Sequence, residues 1–82
     1  MKAARTHQEI GKLIKYYRKA QNLSQKELAD KAQLSQPAVS NIEKGIGGTL
    51  GAVESIMRAL KLELMFRPIP KIDKNNLTAF ID

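Results

Sequence analysis

The sequence predicts a mainly α-helical domain of four to five helices, closed by one C-terminal β-strand that pairs with its copy across a homodimer. Three observations lead there. Apolar residues recur at helical spacing in four stretches, each preceded by a Thr or Ser placed to cap it. One later stretch switches to period two. A length of 82 residues allows a single small domain.

Residues 1–6 read as a basic arm. Thr6 and Glu9 have the spacing of a capping box. Ile10, Leu13, Ile14 and Tyr17 then form an amphipathic stripe, which predicts a helix over about 7–20, with Lys12, Lys15, Arg18 and Lys19 off the stripe. A second capping box at Ser24 and Glu27 opens a short helix over about 25–32, with Leu28, Ala29 and Ala32 on its inner face. Ser35 caps a third helix that carries Pro37 in its first turn, where a missing N–H costs little. Val39 and Ile42 face inward, and Gly45 is the expected stop. After Gly47-Gly48, Thr49 caps a fourth helix whose inner line is Leu50, Val53, Ile56, Met57 and Leu60. Leu62, Leu64 and Phe66 alternate along a strand over 62–68, ended by Pro68 and Pro70. The remainder, 69–82, reads as a flexible tail.

Composition removes most chemistry. With no Cys there is no disulfide, no thiolate zinc site and no thiol nucleophile, and a lone His7 cannot build a multi-histidine metal site. No catalytic constellation is recognisable and no cofactor is implied, so an enzyme is not expected. His7 reads as a solvated residue at a helix start. There is no apolar run long enough to span a bilayer and no signal peptide, which together predict a cytoplasmic protein without a membrane partner.

Charge is the remaining clue. Fourteen Lys+Arg against eight Asp+Glu give a net +6. Residues 1–47 hold nine basic and four acidic side chains, so the excess belongs to the N-terminal half. A polyanion is the natural partner of such a chain.

Leu23 to Gly45 explains how that partner is read. Two short helices joined by a tight turn fit a helix-turn-helix unit, here residues within a domain spanning 7–61. Ala29 is the small residue where the two helices cross. Leu28, Ala32, Leu34, Val39 and Ile42 face the other helices. That leaves Ser35, Gln36, Pro37, Ser40, Asn41 and Lys44 on the outer face of the second helix. These are groups of the kind that read base edges in a major groove, with Lys44 available for phosphate.

The stretch resembles the Xre/Cro/C1-type, lambda-repressor-like helix-turn-helix family of bacterial and phage repressors. Ser24-Gln25, Glu27-Leu28-Ala29, Val39-Ser40-Asn41-Ile42-Glu43 and Gly45 carry the resemblance. It implies that Gln25 begins the first helix of the unit and contacts a phosphate. It also implies that Ser35, Gln36, Ala38, Ser40 and Asn41 face the groove, and that Glu43 is structural. One position departs from the pattern: the turn glycine is Gln33 here, which costs on the order of 1 kcal/mol if the left-handed turn is kept.

A lone strand after four helices has no partner within the chain, and pairing with a second subunit about a two-fold axis resolves that. The segment Leu50 to Phe66 is similar to the HipB-type antitoxins of HipA-like kinase toxins. That resemblance implies dimerisation through Leu62, Leu64 and Phe66. It also implies a tail that reaches toward the toxin, where Leu77, Phe80 and Ile81 have the spacing of a short apolar helical face. The expected function is a repressor that binds a pseudo-palindromic operator as a homodimer, neutralises the toxin and autoregulates its operon. Two alternatives stay open. One is a stand-alone repressor without a toxin. The other is a protein-interaction module whose DNA face is vestigial.

Overall fold

The computed structural model describes residues 3–70. The helices among them are α1 (His7–Ala20), α2 (Gln25–Ala32), α3 (Gln36–Glu43) and α4 (Leu50–Ala59). Each begins where a hydroxyl side chain satisfies an orphan backbone N–H. Thr6 accepts from Glu9, Ser24 from Glu27, Ser35 from Ala38 and Thr49 from Ala52. The capping box at α2 is complete, because the Glu27 carboxylate also accepts the Ser24 N–H at 2.8 Å. At α1 the expected box is only half formed: the Glu9 carboxylate takes the Arg5 N–H instead.

The helices also stop alike. A left-handed residue follows each one, namely Asn22, Gln33, Gly45 and Lys61. The next N–H reaches back across the last turn, from Leu23 to Arg18, Leu34 to Ala29, Ile46 to Asn41 and Leu62 to Met57. This is the Schellman closure, which usually brings the residue after the left-handed one onto the core. Leu23, Leu34 and Leu62 do pack there. Ile46 does not, and stays 58 % exposed. Gln33 keeps the turn that favours glycine, at φ 58° and ψ 43°.

Packing places α2 against both α3 and α4, and α1 against α3. Ile14, Leu28, Ala29, Ala32, Val39, Ile42, Ile56 and Leu60 form the core. Gly11 sets how closely α1 approaches. A Cβ there would lie 2.7 Å from the Glu43 carbonyl oxygen and would also meet that of Ile42. The buried face of α1 is consequently Gly11, Ile14 and Arg18. Ile10, expected on that face, is 38 % exposed because the close crossing rotates it outward. At the far end, the Gln21 amide donates to the Leu60 carbonyl at 2.9 Å and ties the end of α1 to that of α4.

One further expectation needs correction, and another is not shown by the described residues. Leu50 was placed on the inner line of α4 but is 78 % exposed. It is the first helical residue and lies to one side of the line through Val53, Ile56 and Leu60. Residues 62–69 carry no strand hydrogen bonds, and no strand forms among the described residues. A ladder needs a second strand, and the described residues supply none. Leu77, Phe80 and Ile81 lie outside the described residues. No helix among the described residues is long and apolar enough to cross a membrane.

Candidate nucleic-acid interface

The outer face of α3 follows from its inner one. Val39 and Ile42 are fully buried against the other helices, so residues half a turn away must point outward. Ser35, Gln36, Pro37, Asn41 and Lys44 are exposed, while Ala38 and Ser40 are half-buried at the edge of the same face. Ser35 spends an acceptor lone pair on its cap, Ala38 N–H to Oγ at 3.2 Å. Its hydroxyl proton remains able to donate. The face thus offers amide, hydroxyl and ammonium groups from one rigid helix.

Gln25 stands at the first position of α2, where backbone N–H groups and the helix dipole favour an anion. Its Nε2 donates to Glu43 Oε1 at 3.1 Å. One amide hydrogen and the amide oxygen are left over, so Gln25 is oriented without being exhausted.

Glu43 is the hub that makes this possible. Arg18 grips its carboxylate from α1 through two bonds, Nε to Oε2 at 2.6 Å and Nη2 to Oε1 at 3.1 Å. The Arg18 Nη1 also donates to the Leu23 carbonyl at 2.7 Å. Both side chains are almost fully withdrawn from water, at 8 % and 3 % exposure. Bidentate geometry, with each guanidinium nitrogen and both carboxylate oxygens partnered, is what lets such a pair persist in a core. No buried side-chain polar atom among the described residues lacks a partner. The pair joins α1, the start of α2 and the end of α3 in one network.

The sequence places Arg18 off the apolar stripe together with Lys12, Lys15 and Lys19, and the structure separates it from them by burying it. Its position one turn beyond Ile14 and two beyond Gly11 was the available signal. His7 was expected to be merely solvated; it is exposed, yet its Nε2–H donates to the Gly47 carbonyl at 2.9 Å. That bond and the packing of Gln8 beneath Gly45 hold the loop after α3 against the start of α1. Among the described residues no group of His, Cys, Asp and Glu is arranged to hold a metal ion.

The sequence model of a helix-turn-helix family matches residues 14–65. No curated protein matches the chain. The matched span contains α2, the left-handed turn at Gln33 and α3, together with the second half of α1 and all of α4. On that match, joined to a two-helix unit with a polar outward face, the chain belongs to the Xre/Cro/C1-type helix-turn-helix family of DNA-binding transcription regulators.

Proposed function

We propose that the protein is a sequence-specific repressor that binds a pseudo-palindromic operator as a homodimer and serves as the antitoxin of a HipA-like kinase toxin. The observation that carries the DNA part is α3, whose Gln36, Pro37, Asn41 and Lys44 are exposed on a helix locked by buried Val39 and Ile42. In this reading Gln36, Asn41, Ser35 and Ser40 address base edges, Ala38 and Pro37 offer apolar contact, and Lys44 and Gln25 hold phosphates. Half-sites then lie about 34 Å apart, one turn of B-DNA, or a multiple of that.

Exposure after α4 supports the dimer. Leu62 packs on the core, but Leu64, Met65, Phe66 and Ile69 are 57, 59, 88 and 45 % exposed. So much apolar surface beside unpaired backbone suits a strand shared with a second copy. For the antitoxin role the support is the similarity of Leu50 to Phe66 to that group, and residues 71–82, with Leu77, Phe80 and Ile81, are the proposed toxin-contacting segment.

Binding to operator DNA tests the first claim. Gln36→Ala should cost roughly 1–3 kcal/mol and relax preference at one base pair. Lys44→Ala should weaken all sequences about equally. Identical behaviour of the two variants would refute the division into reading and positioning residues. Calorimetry against a HipA-like kinase from the same organism tests the second, comparing the full chain with one lacking residues 71–82. Equal affinities would move the toxin-binding surface onto the helical body, and no binding at all would leave a stand-alone repressor.

A further inference from the structure

Three lysines of α1 are separated from Arg18 by the fold and share one face. Gln8, Lys12, Lys15 and Lys19 follow the spacing i, i+4, i+7, i+11, which stacks them along one side of a helix. All four are exposed. This side is not the buried one, which belongs to Gly11, Ile14 and Arg18.

Where the row begins matters. Gln8 heads it, and a Cβ built on Gly45 would lie 2.8 Å from Gln8 Cγ. Gly45 is the stop of α3 and directly follows Lys44. The lysine row therefore starts where the outward face of α3 ends, and positive charge runs from Lys44 onto α1 with Gln8 between.

An ordinary solvated helix face intersperses its lysines with carboxylates four residues away. Glu54 and Arg58 do so on α4, at 2.6 Å. On α1 the acidic residue is Glu9, which lies off the row and accepts the Arg5 N–H. Glu43, the nearest carboxylate of α3, is neutralised by Arg18. Among the described residues Lys12, Lys15 and Lys19 make no ion pair. Like charges three and four residues apart destabilise a helix slightly; on α1 Glu9, three residues before Lys12, opposes this, but Lys15 and Lys19 have no carboxylate three or four residues away to offset it. A polyanion lying along the row would offset it.

We infer that Lys12, Lys15 and Lys19 form a second track of phosphate contacts, lying along the DNA backbone that flanks the groove entered by α3. The inference rests on the DNA-binding reading and extends its footprint to a helix outside the two-helix unit. The track carries no base information. It contributes affinity and salt dependence to every sequence alike, because each neutralised phosphate releases counterions.

The test is a salt titration of binding to a random-sequence duplex of about 30 base pairs, roughly three helical turns, followed by fluorescence anisotropy. Wild-type protein is compared with Lys12→Gln/Lys15→Gln/Lys19→Gln. These side chains are exposed, so helix content and melting temperature, measured alongside, should match wild type. The slope of log affinity against log salt should fall in magnitude by about two to three, near 0.9 per lost phosphate contact. The control is Lys31→Gln/Lys61→Gln, which removes charge elsewhere and should change the slope by much less per charge. An unchanged slope in the triple variant overturns the inference, as does an equal change per charge in the control. Anionic phosphatidylserine vesicles form the last arm, and loss of vesicle binding with an unaltered DNA slope would also overturn it. If wild type itself shows no salt-dependent DNA binding, the DNA-binding reading falls as well, so the two failures are distinguishable.

Discussion

Arg18 and Glu43 show how one pair of side chains can hold an interface it does not itself form. Each is buried, and each satisfies the other through two bonds of 2.6 and 3.1 Å. Removing one partner leaves a charge in the core with nothing opposite it, which costs about 3–5 kcal/mol. Arg18→Met alone should therefore melt far below wild type in a thermal scan. The double variant Arg18→Met/Glu43→Leu should recover much of that loss, since two apolar groups need no partner. Recovery of stability should not restore DNA affinity, because Gln25 would have lost the carboxylate that orients it. A double variant that binds DNA like wild type would show that Gln25 needs no such support.

Capping and crossing govern the elements. At α2, hydrogen bonds from the Ser24 backbone N–H and then from its hydroxyl hold the Glu27 carboxyl below the usual carboxylate range; the nearby Lys31 acts the same way more weakly, and slight desolvation opposes them. A carboxyl whose folded pKa is depressed stabilises the fold above its unfolded pKa, and that contribution disappears as pH falls through the folded value. Glu27→Gln should consequently flatten the fall in melting temperature on acidification below about pH 5, and leave a smaller change at neutral pH than loss of the cap would. At the crossing of α1 and α3, Gly11→Ala sets a helix-propensity gain of about 1 kcal/mol against a clash with two backbone carbonyls. Overpacking costs about 1–3 kcal/mol and occasionally more, and here the added methyl meets backbone, which cannot swing aside as a side chain can. The clash wins, and chemical denaturation should find the variant less stable. A more stable Gly11→Ala would mean that α1 can retreat from α3 without loss.

For the whole molecule, stability and assembly are expected to be one quantity. A domain of this size, with eight buried apolar core residues among those described, buries too small a fraction of its surface to be robust alone. Sharing the segment after α4 would add the apolar area that Leu64, Met65 and Phe66 leave in water. Melting temperature should then rise with protein concentration. Leu64→Pro removes a ladder donor and an apolar contact together, so sedimentation should find a monomer with a lower melting temperature. An unchanged dimer would place the interface elsewhere, with exposed Ile46 and Leu50 the nearest apolar candidates.

The local parts of this protein were legible in its sequence. Thr6, Ser24, Ser35 and Thr49 mark the four helix starts, because a cap involves only its own first turn. Gly45 marks the stop of α3, and the alternation of buried Val39 and Ile42 with polar neighbours marks the outward face of that helix. The left-handed turn survives at Gln33 even without glycine. Long-range relations were decided only by the tertiary structure. Arg18 and Glu43 are 25 residues apart, and spacing along one helix says nothing about a charge waiting on another. The close approach at Gly11 shifted the buried face of α1 by one position, exposing Ile10, burying Arg18 and leaving the face of Lys12, Lys15 and Lys19 in water. A helix periodicity fixes which residues share a face; only the neighbour that packs against it decides which face is inside.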